Sequence, residues 1–301
     1  MCWPKLKAVG KFLLQGAFLL LLTVGLELVG STPVLAGPFQ QGVMAVENQA
    51  YGAAVQAFTA AIAQQDHVSA AYGNRCLVNL WMNQLDGAIS DCTAALQFNA
   101  DAPQAYLNRG IAHYRLGQYG AAQADFTSHL QRHPQAGLAY YNRGLAVLAL
   151  GDTAAAITDY QQALIHDEGM PDVARADIYN DLGVAYLAQL QPAVAQAYLA
   201  QAIFLNQDDP RAYFNHGCAC HYRGDNSAAL ASFEQALSLD PTHAETYLNR
   251  AMVRDELGDR AGTLADLRQA EHYFQQQGDA DRTDAARELL IRFQRTEIAI
   301  G

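Results

Sequence analysis

The sequence predicts an all-α chain built from stacked helical hairpins, and three observations predict it. Alanine and glutamine are abundant while Pro (9) and Gly (23) stay ordinary in 301 residues, a balance that favours helix over strand. One short string returns every thirty-four residues: Tyr72-Gly73-Asn74-Arg75-Cys76, Tyr106-Leu107-Asn108-Arg109-Gly110 and Tyr140-Tyr141-Asn142-Arg143-Gly144, then Tyr213-Phe214-Asn215-His216-Gly217 and Tyr247-Leu248-Asn249-Arg250-Ala251. Each period also carries small residues seven apart, such as Ala54 and Ala61 or Ala88 and Ala95, a spacing that keeps them on one helix face. With 51% apolar and 16% charged residues the chain can bury a continuous core, and composition excludes a disordered chain.

The elements follow in order. Lys5, Lys7 and Lys11 precede an apolar run from Phe12 that continues to Val29, and Val34-Leu35-Ala36 has small residues where a signal peptidase reads. Residues 1–36 are therefore expected to be a secretory signal peptide cut after Ala36, the mature chain being exported to a periplasm, a thylakoid lumen or the extracellular space. The competing reading is an uncleaved anchor over residues 12–29, near the lower limit for a span. All the lysines lie in this leader, so the body carries 16 arginines against 29 acidic residues, a net charge of −13. An acidic body without a basic stripe argues against nucleic acid and against anionic membrane surfaces as partners.

Residues 37–278 hold the repeats. Gly42 opens a first, partial one, three full periods follow it, and a five-residue insertion around His166–Pro171 then breaks the register. That insertion is expected either to split the stack into groups of four and three or to form a loop that meets a partner. After it, Tyr179-Asn180-Asp181-Leu182-Gly183 restores the register. Residues 279–301 are expected to cap the last repeat, with Ala285, Ala286, Leu289, Leu290 and Phe293 on one helical stripe.

In each period a helix A starts near the Tyr and its small residue follows four later: Gly42, Cys76, Gly110, Gly144, Gly183, Gly217, Ala251. A turn follows, often with Gly (Gly117, Gly151, Gly224, Gly258). Helix B then places a bulky residue (Phe58, Cys92, Phe126, Tyr160, Leu199, Phe233, Leu267) four after an alanine, with Thr263 the exception, and a second alanine three further on, with His129 the exception. Pro134 and Pro241 stand between repeats. This pattern resembles the tetratricopeptide-repeat (TPR) family over essentially the whole body. The resemblance implies a right-handed α-α superhelix of about seven hairpins plus a C-terminal capping helix, each hairpin burying its apolar face against its neighbours.

Comparison among the repeats assigns individual residues. Arg75, Arg109, Arg143 and Arg250 each precede an aspartate by sixteen positions: Asp91, Asp125, Asp159 and Asp266. Repeats without the Arg also lack the Asp, as expected of pairs in contact, so these are read as salt bridges tying helix A to helix B. The asparagine column, Asn74, Asn108, Asn142, Asn215 and Asn249 with Asp181 filling the gap, has no co-varying partner. In TPR proteins this face lines the concave groove, and the resemblance implies an asparagine ladder that holds an extended peptide by its backbone; the bland alternative is an amide that orders the stack. Leu77, Ile111, Leu145 and Tyr114 are expected to give that groove apolar walls. Arg115 alone sits at a plausible position for a carboxylate clamp.

Cys76 and Cys92 share the sixteen-residue offset, so they either form a disulfide or fill two small packing columns. His216-Gly217-Cys218-Ala219-Cys220-His221 divides into two poor half-sites on a helix, so no metal is assigned. No nucleophile elbow, phosphate-binding glycine loop, zinc-protease helix or paired-carboxylate cleft is present, so neither an enzymatic reaction nor a cofactor is expected. The function expected is a scaffold or assembly factor that binds a protein or peptide segment. Self-assembly into a homo-oligomer is the alternative, with a metal or small-ligand binder behind both.

Overall fold

The structure, a computed structural model, describes residues 36–298, with side chains described as far as Gln294. The leader up to residue 35 lies outside the described residues. Helices alternate as A and B: α1 (Pro38–Glu47) with α2 (Tyr51–Ala63), α3 (Val68–Trp81) with α4 (Leu85–Phe98), α5 (Pro103–Arg115) with α6 (Tyr119–Arg132), and α7 (Gly137–Ala149) with α8 (Thr153–Ile165). They continue with α9 (Asp172–Ala188) and α10 (Pro192–Leu205), α11 (Pro210–Tyr222) and α12 (Asn226–Leu239), α13 (Ala244–Glu256) and α14 (Arg260–Gln276), and close with α15 (Ala280–Ile298). The described helices are all α, and none is long and apolar enough to cross a membrane.

The chain divides into two compact units at Glu168/Gly169, inside the inserted stretch. The first unit holds α1–α8 and the second α9–α15. Within each, every B helix packs on its own A helix and on the next A helix. Successive A helices also touch, α3 with α5 and α5 with α7, and likewise α9 with α11 and α11 with α13. No two described B helices approach comparably. The A helices therefore form the tighter, inner side of each stack.

The close approach of A to B has a steric cause. A Cβ added at Gly42, Gly110, Gly144, Gly183 or Gly217 would lie 2.4 to 2.7 Å from the side chain of Phe58, Phe126, Tyr160, Leu199 or Phe233 respectively. Those bulky residues are at most 1% exposed, so glycine is what lets each of them pack directly against helix A. In the second repeat a Cys76–Cys92 disulfide takes the place of the glycine and the ring. The A–B turn needs a left-handed residue in every repeat. Glycine supplies it at Gly117, Gly151, Gly224 and Gly258, but Gln49, Asn83 and Leu190 adopt φ of 57°, 58° and 58° at the same turn. On α15, Ala286 and Leu290 are buried, and Leu290 joins Ala251, Leu264 and Leu267. Ala285, expected on that stripe, is exposed, since the helix turns its face toward α14 one position later.

Candidate functional site on the A helices

The arginine column is a joint. Arg75 donates through Nε and Nη2 to the two carboxylate oxygens of Asp91 at 2.8 and 2.6 Å. Arg109 does the same to Asp125 at 2.9 and 2.7 Å, as do Arg143 to Asp159 and Arg250 to Asp266. A third donor, Nη1, reaches the preceding repeat: Thr59 Oγ1 from Arg75 at 2.8 Å, Thr93 from Arg109 at 3.1 Å and Thr127 from Arg143 at 3.4 Å. The guanidinium of each lies over the Tyr three positions before it, from Arg75 over Tyr72 to Arg250 over Tyr247. Hydrogen bonding to the aspartate holds the Arg75, Arg109 and Arg143 guanidinia above their ordinary pKa. The threonines were not read from the sequence, although they precede the arginines at a constant sixteen positions. Where the Arg is missing, His216 Nδ1 meets Ser232 Oγ at 2.9 Å, and Leu182 is fully buried while Tyr198 stacks on Tyr186. The guanidinia of these arginines are thus engaged within the protein.

The asparagine row behaves differently in the two units. In the first, the side-chain amides of Asn74, Asn108 and Asn142 make no hydrogen bond among the described residues; Asn74 and Asn142 are half-buried, and Asn108 is 5% exposed. In the second, the row is internally satisfied: Asn215 Nδ2 donates to Asn180 Oδ1 at 2.9 Å, Asn180 Nδ2 to Asp181 Oδ1 at 3.3 Å, and Asn249 Nδ2 to the Glu245 carbonyl at 2.8 Å. Asp181 and Asn249 are 1% and 3% exposed. Asp181, Asn215 and Asn249 therefore do not present free groups to a groove as the sequence suggested. Asn180, one residue before the row, bonds both Asp181 and Asn215, while Asn249 turns back to its own helix.

The apolar wall is narrower than expected. Leu145 is only 6% exposed, so it offers a groove little of the apolar surface expected of it. Leu77 is half-buried, Ile111 packs between the cores of the second and third repeats, and Tyr114 packs beside Tyr119 at 5.4 Å between ring centres. Arg115 donates from Nη1 to the Leu80 carbonyl at 3.0 Å, and burial lowers its pKa. It closes the end of the preceding A helix and is not a clamp residue.

Cys218 and Cys220 are buried, and Cys220 Sγ lies 3.3 Å from Gln196 Nε2 and 3.7 Å from His216 Nδ1. Burial raises the Cys220 thiol above its ordinary pKa, which suits a packed thiol better than a nucleophile. His221 Nε2 meets Glu256 Oε1 at 3.0 Å, bridging α11 and α13. No cluster of three or more His, Cys, Asp or Glu that could hold a metal occurs among the described residues.

Repeating helical hairpins with a glycine-over-ring contact define a solenoid repeat protein. The tetratricopeptide-repeat model matches residues 107–172 and 180–244, and this chain is a tetratricopeptide-repeat protein. Solved structures agree on the fold. YrrB, described as a TPR protein with an unusual peptide-binding site, is 25% identical with a TM-score of 0.54, over 65% of this chain and 97% of its own. A tetratricopeptide repeat protein from Parabacteroides merdae is 18% identical with a TM-score of 0.58, over 85% and 97%. PilW, a type IV pilus biogenesis factor, is 18% identical with a TM-score of 0.62, over 73% and 98%. No curated protein sequence matches the chain.

Proposed function

We propose that the protein is an interaction scaffold that holds an extended segment of a partner protein along the A helices of its first unit. The observation that carries this reading is the row of three amides, Asn74, Asn108 and Asn142, equally spaced in sequence and without internal partners among the described residues. A carboxamide offers a donor and an acceptor together, which matches a peptide group without reading its side chain. Leu77, Ile111 and Tyr114 add apolar contact beside it. The peptide-binding site of YrrB, on the same fold, supports the reading. Crosslinked pull-down of the wild type against an Asn108→Ala/Asn142→Ala double variant tests it. Partners lost by a variant that keeps its helicity are expected; the same partners recovered from both would refute the groove.

A second reading, self-association, is favoured by α10. Its fourteen residues carry no charge, and Leu190 in the turn before it, Val194 in its first turn and Phe204 in its last are 70%, 38% and 74% exposed. Sedimentation of wild type against Phe204→Glu decides it, a lighter variant favouring the homo-oligomer. Export is part of the proposal. The Cys76–Cys92 disulfide suits an oxidising compartment, and the mature protein is expected to begin at Gly37 by mass. An intact N-terminus would instead favour an anchor over residues 12–29.

A further inference from the structure

His129 is the residue that the repeat pattern does not explain. Its column in helix B holds Ala61, Ala95, Ala163, Ala202, Ala236 and Ala270 in the other repeats. An imidazole only 3% exposed replaces that alanine in the third repeat. Its Nδ1–H donates to the Pro103 carbonyl at 2.8 Å, which fixes the ring and leaves Nε2 as its acceptor nitrogen. His133, four residues on and exposed at the end of α6, stacks beside it with ring centres 5.3 Å apart. Both rings line a surface hollow of about 370 Å³, whose walls also include Gln104, Pro134 and Gln135.

We propose that His129 and His133 form a two-imidazole site for a divalent transition-metal ion of the Cu²⁺, Ni²⁺ or Zn²⁺ type. His133 is the cap residue just past the last turn of α6, and with its ring beside that of His129 the two imidazoles can reach one ion. A metal-bound histidine characteristically donates its other ring N–H to a carbonyl, as His129 does to Pro103. Burial, against the opposing hydrogen bond to Pro103, lowers the His129 pKa and so favours the neutral ring. The positive charge in the same wall is held elsewhere. Arg132 donates to Asp101 at 2.8 Å, to the Ser128 and Ala100 carbonyls, and lies over Tyr106. Solvent completes the coordination, with Gln104 and Gln135 in the same wall. With two nitrogen donors and no carboxylate, the site discriminates against Mg²⁺ and Ca²⁺.

The test is calorimetric titration of chelator-treated full chain with Cu²⁺, and separately with Zn²⁺ and Mg²⁺, followed by electron paramagnetic resonance of the Cu²⁺ form. One ion per chain is expected for Cu²⁺ and Zn²⁺, none for Mg²⁺, with a two-nitrogen splitting pattern for Cu²⁺. His133→Ala, at an exposed position, is expected to weaken binding by about tenfold or more, since it removes one of two protein donors. His129→Ala installs the residue used by six other repeats, so it should fold as wild type by circular dichroism and lose the site. His272→Ala serves as an unchanged control. No uptake by wild type, or equal affinity in wild type and His133→Ala, overturns the proposal and leaves the groove reading untouched.

Discussion

The two units use one repeat pattern to different ends. From α1 to α8 the arginine joints run in series through Arg75, Arg109 and Arg143, each also tied to a threonine of the repeat before, and the amides beside them are left without internal partners. From α9 to α15 that series is interrupted: His216–Ser232 and the Tyr186–Tyr198 stack stand in its place, and the amides bond to the protein itself. The difference teaches that framework and binding surface compete for the same polar groups. Where the joints run in series the amide row is left without internal partners; where the series is broken the amides become framework, even at Asn249 beside the isolated Arg250–Asp266 joint.

The largest effects should come from breaking the first unit's framework. Asp125→Ala strands the Arg109 guanidinium and should cost about 3 kcal/mol, whereas Ser232→Ala in the second unit should cost about 1 kcal/mol, both read by denaturant unfolding. Reduction of Cys76–Cys92 should cost about 3 kcal/mol for a loop of this length, again in the first unit only. Cys76→Gly/Cys92→Phe, which installs the pair used at Gly110–Phe126, should restore part of that and make unfolding insensitive to reductant. The amides sharpen the contrast directly. Asn215→Ala should destabilise by about 1 kcal/mol through its lost hydrogen bond, while Asn108→Ala should stay within about 0.5 kcal/mol. Leu190→Gly should stabilise the second unit by about 0.5–1 kcal/mol, since the left-handed turn strains a leucine and suits a glycine.

Acid provides the smallest and most selective probe. Burial lowers the pKa of His129 in the first unit and of His216 and His243 in the second. A histidine depressed on folding binds its proton more readily in the unfolded chain. Its contribution is therefore intact above the unfolded value of about 6.5 and is lost as pH falls below it, levelling once the folded pKa is passed. His129→Ala should flatten the stability slope between pH 7 and 5 in the first unit and leave the second unchanged, as hydrogen exchange would resolve.

Much of this was legible because a repeat comments on itself. The hairpin order, the turn position and the Arg–Asp offset all follow from a thirty-four-residue period, since stacking forces the same contacts at each step. The Thr59, Thr93 and Thr127 contacts were present as the same offset read backwards and were missed because threonine is common on helices. The fate of the asparagines was not legible. It turns on whether a neighbour such as Asn180 reaches the amide first, and the period says nothing about a residue that occurs once. Leu145 escaped for a related reason, as a leucine can face either the groove or the next helix from nearly the same angle. His129 stood out in the alignment of repeats, but its bond to Pro103 depends on where α5 begins.

The arginine that bonds to one repeat behind and one aspartate ahead also sets the lengths this chain could adopt. A cut within a period separates Thr93 from Arg109, or Arg109 from Asp125, and leaves a charge stranded. Removal or duplication of thirty-four residues at once brings Thr93 to Arg143, or Thr127 to a second Arg109, at the same sixteen-residue offset, and every joint closes again. Gene duplication can therefore lengthen or shorten the first unit in whole steps, and the insertion after Ile165, which is not a multiple of the step, marks where that growth stops.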